Sequence, residues 1–325
     1  MKILYVGNFT AKDSSLGYCP NANYISDTLE MMGHQVKRLN ECDVLPNDIL
    51  QYIEKDKFDF VLTEEARLKG DFTNDFDNGV DLVQGTFKEV MKKAKIPVVC
   101  WLTNIFWGVV RREIQISTNP IFKASVVFST DGGHQAEFEA EGVNHVNLRQ
   151  GIFEPEAFLG QPTYPTKAEI VFVGSIYDQI WPYRKRLVNW LQETYGDRFL
   201  WVGERGEVRH EALNNLLATV KIVIGDSVYS PHYWSNRIYE MIGRGGFLIH
   251  PMVPGLDKEF TPYKHFVPYF FGDFDGLKKK IDYYLEHDKE REEIKLAGFE
   301  HCREHYTYRH RVEEMLKTLK EQKIL

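Results

Sequence analysis

The chain has 325 residues, of which 43% are hydrophobic and 27% charged, and its formal net charge is -7. This length predicts two domains of about 150 residues each. An acidic balance without an obvious basic face argues against a protein whose main partner is a nucleic-acid backbone. The four scattered cysteines, without a C-x-x-C spacing, argue against a zinc ribbon or a disulfide scaffold.

The apolar runs of the sequence predict a cytoplasmic protein. The run that precedes Gly7 is too short for the apolar region of a signal peptide. No other run approaches the roughly 20 apolar residues of a membrane helix. The cysteine pattern agrees, because it fits a reducing compartment.

Strand-like and helix-like segments alternate along the first half of the chain. Short apolar runs predict strands at residues 2–6, 35–39, 58–62, 97–102, 124–128 and 145–148. The stretch 21–32 is predicted to be a helix that ends at Gly33, a residue typical of helix C-termini. This alternation predicts a parallel sheet with helices on both faces.

The alternation starts again after a turn-rich stretch, 151–166, which is the candidate hinge. Strands are predicted at 169–173, 199–202, 221–224, 246–250 and 265–268. Helices are predicted at 183–193, 209–219, 235–243, 274–287 and 288–306, followed by an amphipathic segment at 308–321. Two such α/β domains facing each other would form a cleft, and ligands bind at the carboxyl ends of parallel strands.

Two of the predicted strands in the second half end in glycine-containing turns. Gly174 and Ser175 follow the first of these strands, and Gly203 and Arg205 follow the second. Glycine lets backbone N–H groups approach a phosphate, and serine adds a hydrogen-bond donor. An arginine can bind a diphosphate through two hydrogen bonds. Each turn also has an ordinary explanation, as a strand-to-loop glycine or a surface arginine.

The strongest signal is the segment 235–249, with the sequence SNRIYEMIGRGGFLI. Ser235 can cap a helix, and Arg237 and Glu240 share a helical face because they are three residues apart. Near a helix N-terminus, Arg237 would meet an anion that free N–H groups and the helix dipole already favour. Glu240 can accept hydrogen bonds from two ribose hydroxyls. The alternative is an ion pair on a helix surface. We predict nucleotide binding by this segment, Asn236 included.

This segment and the sequence after it resemble the CgeB-type (spore-maturation) glycosyltransferases. The shared features are the Ser-x-Arg-x-Tyr-Glu stretch at 235–240, an xLxxxF segment at 255–260, the YYL triplet at 283–285 and HYTYRHR at 305–311. The resemblance covers about residues 170 to 316. It implies a GT-B fold, in which two Rossmann-like domains face each other and the C-terminal domain binds most of the nucleotide-sugar.

The resemblance also implies roles for individual residues and an order of domains. It implies that Gly174, Ser175, Arg237 and Glu240 surround the diphosphate. The family is similar to retaining glycosyl transferases of group 1, in which Glu240 would be the second, ribose-binding glutamate of a Glu-x7-Glu motif. Tyr233 stands where the first glutamate is expected. The predicted domains are an acceptor domain at 1–155, a nucleotide-sugar domain at 156–305 and a helix at 306–325 that crosses back to the first domain.

Candidates for acid–base chemistry follow predicted strands of the first half: Asp13, Glu64, Glu65, Asp131 and His134. Of these, Asp13, Glu65 and His134 are the predicted catalytic residues, together with Arg237. Residues of these types more often cap a helix or face solvent; Asp131 in particular can cap a helix that begins near Gly132. In a retaining enzyme the leaving phosphate can take the acceptor's proton. Its stabilisation is then the main catalytic task.

Neither a metal site nor a cofactor is predicted, the nucleotide-sugar being a co-substrate. The Asp-x-Asp sequences at 75–77 and 273–275 have the pattern with which GT-A enzymes hold a manganese diphosphate. However, Asp273 can cap a helix and Asp75 lies in a polar turn. His301 and His305 are four residues apart, but the glutamate of an H-E-x-x-H motif is not in place.

These observations predict a glycosyltransferase that moves a sugar from a nucleotide-diphosphate donor to an acceptor, with retention. By family habit the donor is a UDP-sugar, and the acceptor is a glycan, a small molecule or a protein. One alternative is a DNA-modifying glycosyltransferase acting on hydroxymethylated bases, which the acidic charge disfavours. The other is a non-catalytic GT-B-like binding protein, for which Tyr233 in place of glutamate leaves room.

Overall fold

The computed structural model of the chain describes residues 1–9, 20–64, 87–107, 110–176, 182–203, 208–228 and 230–325. The chain divides into two compact units. The N-terminal unit comprises Met1–Arg149 and Tyr308–Leu325, and the C-terminal unit comprises Gln150–Thr307. Within the described residues, no helix is both long and apolar enough to cross a membrane.

The N-terminal unit is built on a parallel sheet with the strand order β2-β1-β3-β4-β5-β6. The strands are β1 (Lys2–Gly7), β2 (Gln35–Asn40), β3 (Phe60–Thr63), β4 (Val98–Leu102), β5 (Val126–Ser129) and β6 (His145–Asn147). The central strands β3, β4 and β5 are buried at every residue. Their continuous apolar runs are typical of strands that are covered on both faces. The helices are α1 (Pro20–Met31), α2 (Pro46–Lys55), α3 (Phe87–Lys93), α4 (Val110–Thr118) and α5 (Gln135–Ala140).

The C-terminal unit is a second parallel sheet, with the order β11-β10-β9-β7-β8. Its strands are β7 (Ile170–Val173), β8 (Phe199–Val202), β9 (Ile222–Ile224), β10 (Leu248–Pro251) and β11 (Val267–Tyr269). Its helices are α6 (Pro182–Tyr195), α7 (His210–Thr219), α8 (Arg237–Gly243), α9 (Phe274–Glu286) and α10 (Asp288–His305). The sheet separates two cores because side chains alternate between its faces: Val171 packs with α7 and α8, and Phe172 packs with α6 and α9.

The last helix, α11 (Tyr308–Glu321), belongs to the N-terminal unit and packs against α1. The ring of Tyr308 lies 5.8 Å from the ring of Tyr24, measured between centroids. The Tyr308 hydroxyl donates to Asn21 Oδ1 at 3.1 Å. Residues distant in sequence thus complete the hydrophobic packing of the N-terminal unit.

Each sheet has a point at which the strand order reverses. The reversal lies between β1 and β3 in the N-terminal unit, and between β7 and β9 in the C-terminal unit. Connections leave toward opposite faces of the sheet at such a point, so the ends of the two strands open a crevice where ligands bind in α/β proteins. Gly174 and Gly225, which follow β7 and β9 directly, mark this place in the C-terminal unit.

Candidate functional site

One carboxylate and two arginines meet at the strand-order reversal of the C-terminal unit. Asp226 lies two residues after β9, with 1% of its side chain exposed. Its Oδ2 accepts a hydrogen bond from Arg184 Nε at 2.6 Å, and its Oδ1 accepts one from Arg237 Nη1. The Arg184 side chain is 5% exposed and the Arg237 side chain is 12% exposed. A buried carboxylate needs such partners, because an unpaired charge is strongly disfavoured away from water.

The same arginines hold the loop that follows β7. Arg237 Nε donates to the Val173 carbonyl at 2.6 Å, and Arg184 Nη1 donates to the Ser175 carbonyl at 2.9 Å. Arg237 also lies over the ring of Phe172, with 5.1 Å between the guanidinium carbon and the ring centroid. Burial lowers the pKa of Arg237 to about 10, so this side chain stays protonated near neutral pH.

Two polar groups at this loop form no hydrogen bond with the described part of the chain. They are Nη2 of Arg237 and the hydroxyl of Ser175. A cationic donor and a neutral donor therefore remain for a ligand beside the carboxyl end of β7. Anionic oxygens are the acceptors that such a pair prefers.

The two predicted glycine turns pack against each other. Gly174 has a φ of +146°, and a Cβ at this position would lie 2.3 Å from Arg237 Nη2. Gly203 has a φ of +142°, and its Cβ would lie 2.7 Å from the backbone nitrogen of Gly174. The Gly174 N–H donates to the Val202 carbonyl at 2.8 Å. This N–H is therefore bonded within the unit, and glycine is needed here because the guanidinium lies against the backbone.

The start of α8 also differs from the prediction. The helix begins at Arg237, Asn236 is its N-cap residue, and no side chain caps it. The Ser235 hydroxyl donates instead to the Asp226 carbonyl at 3.5 Å. The N–H of Ile238 bonds to the Ser235 carbonyl, and those of Tyr239 and Glu240 bond to the Asn236 carbonyl. The prediction that Ser235 caps this helix is therefore wrong, because Asn236 is at the cap position and the Ser235 hydroxyl bonds to Asp226.

Arg237 and Glu240 do not pair with each other, although they are three residues apart. Glu240 Oε2 accepts from Arg244 Nε at 3.0 Å, and Arg244 Nη2 donates to Glu156 Oε2. Arg244 Nη1 donates to Asn214 Oδ1 at 2.7 Å, and only 2% of the Arg244 side chain is exposed. Burial raises the pKa of Glu240, and the adjacent guanidinium of Arg244 opposes that rise.

The other oxygen of Glu240 has a weaker partner. Asn236 Nδ2 lies 3.5 Å from Glu240 Oε1. Asn236 Oδ1 is buried without a hydrogen-bond partner among the residues the structure describes. Glu240 Oε1 and Asn236 Oδ1 are thus two acceptors that could satisfy hydroxyl donors of a ligand.

The predicted nucleotide-binding residues fall into one connected group, apart from one that cannot be placed. Direct contacts connect Gly203 to Gly174, Gly174 to Arg237, and Asn236 to Glu240. Ser175 and Ser235 join through Arg184 and Asp226. Arg205 lies outside the described residues. The sequence reasoning missed Asp226, Arg184, Arg244 and Glu156; only Asp226 carried a usable signal, being a carboxylate just after a predicted strand.

Of the predicted catalytic residues of the first half, His134 belongs to the N-terminal unit and two cannot be placed. Asp13 and Glu65 lie outside the described residues. His134 is at the N-cap position of α5 and stacks on Trp107, with ring centroids 5.7 Å apart. Its Nδ1 lies 3.4 Å from Glu137 Oε1.

Two other carboxylates of the N-terminal unit, Asp131 and Glu64, accept hydrogen bonds within their own unit. Asp131 does not cap a helix: its Oδ1 accepts from the backbone N–H groups of Phe106 and Trp107, each at 2.8 Å. Burial raises the pKa of this carboxyl. Glu64, just after β3, is buried and accepts from the Tyr5 hydroxyl at 2.6 Å. These carboxylates of the N-terminal unit are held by neutral donors in these contacts.

The Asp-x-Asp and histidine patterns that resemble metal sites make other contacts where the structure describes them. Asp273 is the N-cap residue of α9, and its side chain accepts from the Gly276 N–H, as predicted. Asp75 lies outside the described residues. His301 stacks on His265, with centroids 4.1 Å apart, and its Nε2 bonds to the Glu259 carbonyl at 2.7 Å. In the described residues, no group of three His, Cys, Asp or Glu side chains is arranged to hold a metal ion.

Comparison with known protein families adds a direct finding for the segment that contains most of this site. Residues 183–317 match the family model described as Glycosyl transferase-like. This match includes Arg184, Asp226, Arg237 and Glu240, and begins after Gly174 and Ser175. No curated protein matches the chain.

Solved structures resemble the chain over nearly its whole length. Sucrose-phosphate synthase (tll1590) from Thermosynechococcus elongatus has a TM-score of 0.68 and 13% identity, covering 98% of each chain. Anabaena Alr3699/HepE in complex with UDP-glucose has a TM-score of 0.65 and 13% identity, covering 99% of this chain and 100% of that one. A glycosyltransferase from Rickettsia africae ESF-5 has a TM-score of 0.63 and 12% identity, covering 99% and 98%.

These similarities confirm the predicted fold class. The chain has two Rossmann-like α/β domains of the GT-B type. The family match shows that residues 183–317 are similar to the Glycosyl transferase-like family. The narrower CgeB-type resemblance stays a prediction, as does the cytoplasmic location.

Proposed function

We propose that this protein is a glycosyltransferase that binds a UDP-sugar donor through the C-terminal unit and transfers the sugar to an acceptor. The proposal rests on the hydrogen bonding of the Arg237 guanidinium, which leaves one nitrogen for a ligand. Two of its nitrogens are held by the Val173 carbonyl and Asp226, and Nη2 is directed at no acceptor among the described residues. It lies beside the strand-order reversal, where α/β sheets bind ligands.

The donor class is proposed from similarity and from charge. Alr3699/HepE, whose fold this chain shares, is solved with UDP, with UDP and glucose, and with UDP-glucose. A diphosphate would accept hydrogen bonds from Arg237 Nη2 and from the Ser175 hydroxyl. The ribose hydroxyls of the same nucleotide would donate to Glu240 Oε1, the glutamate oxygen that Arg244 does not hold.

The proposed chemistry places the main catalytic task on the leaving diphosphate. Negative charge grows on the phosphate as the bond to the sugar breaks, and Arg237 supplies a fixed positive charge there. With retention, the leaving phosphate takes the proton of the acceptor hydroxyl, so a protein base is not required. The proposal includes no metal ion, because the guanidinium provides the stabilising charge. Asp13, Glu65 and His134 remain candidates for contacts with the acceptor.

The first experiment is a thermal-shift screen of nucleotide-sugars, followed by an assay of donor hydrolysis. We expect UDP-sugars to raise the melting temperature, because a ligand that binds only the folded state stabilises it. We also expect slow hydrolysis of the effective donor, unaffected by a chelator. Binding without any turnover, with or without candidate acceptors, would instead support a non-catalytic binding protein.

The variant Arg237→Ala tests the site itself. Its affinity for UDP should fall about 100-fold, the effect of removing a charged hydrogen-bond donor. Asp226 keeps its bond to Arg184 in this variant, so the fold should persist. Arg198→Ala is the matched control in the same unit, because Arg198 is about half exposed and pairs with Glu169. Equal UDP affinity in Arg237→Ala and the control would contradict the proposal.

A further inference from the structure

We propose that Asp226 is a positioning residue of this site, which sets the direction of the Arg237 guanidinium by sharing its carboxylate with Arg184. This assignment rests on the proposed function. Asp226 does not itself face the donor: each of its two oxygens accepts a hydrogen bond from a different arginine. It acts on the nucleotide only through those side chains.

The geometry leaves Arg237 a single direction in which to bind. Nε is held by the Val173 carbonyl and Nη1 by Asp226 Oδ1, so Nη2 is the nitrogen that is left for a ligand. A guanidinium held at two nitrogens loses little further freedom when the third binds a ligand. Such preorganisation strengthens both binding and charge stabilisation in the transition state.

The backbone next to Asp226 is fixed by contacts that Gly225 makes with neighbouring strands. A Cβ at Gly225 would lie 2.5 Å from His250 Cδ2, so the backbone packs directly on that buried ring. The Gly225 carbonyl accepts from the Tyr269 hydroxyl at 3.2 Å, and that hydroxyl lies 3.3 Å from the Tyr183 hydroxyl. Three secondary-structure elements thereby hold the loop that presents the carboxylate.

A carboxylate is needed at position 226 because two arginines, Arg184 and Arg237, each donate to one of its oxygens. Asparagine has the same shape as aspartate but offers one acceptor oxygen and a donating NH2 group. It can therefore serve one of the two arginines only, and it presents donors to the other. Asp226→Asn is expected to turn one guanidinium away and to loosen the loop at Ser175, whose carbonyl Arg184 holds.

The test compares the affinities of UDP and of uridine, measured by calorimetry. Asp226→Asn should weaken UDP binding about 30-fold, and should change uridine binding by less than about threefold, since a hydrogen bond to a charged group is lost only at the phosphates. With donor hydrolysis as the readout, KM should rise and kcat should fall together. Equal losses for UDP and uridine would mean general disruption and would overturn the assignment.

If Asp226→Asn does not fold, a second pair of variants tests the same assignment. Arg184→Gln keeps the one-to-one pair of Asp226 and Arg237, and the double variant Arg184→Gln, Asp226→Asn removes the carboxylate from that background. The double variant should bind UDP about tenfold more weakly than Arg184→Gln, with uridine affinity unchanged. Equal UDP affinity in the two proteins would overturn the assignment.

The wild-type protein separates this assignment from the proposed function. If the wild type binds neither UDP nor UDP-sugars, the proposed function is contradicted and the assignment falls with it. If the wild type binds UDP and folded Asp226→Asn binds it equally well, only the role of Asp226 is overturned.

Discussion

The two units have the same strand order around their first strand, but different chemistry stands at the ends of their strands. In the C-terminal unit, Asp226 and Glu240 are held by arginines. In the N-terminal unit, Glu64 accepts from a tyrosine hydroxyl and Asp131 accepts from backbone N–H groups. One backbone plan therefore supplies the same kind of crevice twice, and side chains decide which charge each crevice attracts.

The difference also has an energetic side. A carboxylate held by neutral donors loses a hydrogen bond when one donor is removed. A carboxylate held by a buried arginine is left as an unpaired charge when that arginine is removed, which is much more costly. Substitutions should therefore affect the C-terminal site more than matching positions of the N-terminal unit.

The largest effect is expected for Arg244→Ala. This change removes the guanidinium that Glu156 and Glu240 share, and both carboxylates are largely shielded from solvent. It should lower the free energy of unfolding by about 3–5 kcal/mol. Arg38→Ala is the control in the N-terminal unit. Arg38 pairs with Asp27 and Glu30, and about a third of its side chain is exposed to solvent. It should cost less than about 1 kcal/mol in urea unfolding. Similar losses in the two variants would remove the contrast between the units.

Acid should destabilise both units, because each buries a histidine that stays neutral. Burial lowers the pKa of His145 in the N-terminal unit and of His250 in the C-terminal unit to about 4. Unfolded histidines take up protons near pH 6.5, so stability present above that pH is lost as the pH falls toward 4. The loss should be about 3 kcal/mol for each group.

Melting temperatures recorded between pH 7 and pH 4.5 test this expectation. The double variant His145→Gln, His250→Gln should respond less steeply than the wild type, since it lacks one such group in each unit. Parallel curves for the two proteins would show that other groups cause the acid response.

Glycine-to-alanine changes at equivalent strand ends compare the two crevices directly. Gly174→Ala should cost about 2 kcal/mol, because φ is +146° and the added Cβ would meet Arg237 Nη2. It should also weaken UDP binding about tenfold, by displacing that guanidinium. Gly7→Ala should cost about 1 kcal/mol or less, as its nearest contact, Tyr5 Cε2, is at 3.1 Å. Urea unfolding and calorimetry with UDP would measure both effects. A larger loss of stability in Gly7→Ala than in Gly174→Ala would contradict this prediction.

The smallest effect is expected for Tyr5→Phe. Removal of the hydroxyl that donates to Glu64 should lower the free energy of unfolding by about 1 kcal/mol. UDP affinity should stay within about twofold of the wild type, since this residue belongs to the N-terminal crevice. A marked loss of UDP binding would place the N-terminal crevice in the donor site.

Much of the site was predictable from local sequence, but its pairing was not. Arg237 and Glu240 stand out because they lie in a short motif beside glycines. Their spacing predicts a shared helical face, yet their partners are Asp226 and Arg244. Gly174 was predicted to lie close to a phosphate, and the structure places a guanidinium of the protein against it. These contacts join strand ends far apart in sequence, which a local pattern does not encode.

The sequence by itself determined the two parallel α/β sheets, since each short apolar run needs burial on both faces and each intervening helix covers one. It also placed the predicted nucleotide-binding segment, 235–249, in the second half of the chain. Only the tertiary structure decided that Asp226 lies between Arg184 and Arg237. The strand order places the ends of β7 and β9 side by side, and a buried charge takes the partner that this order brings within reach.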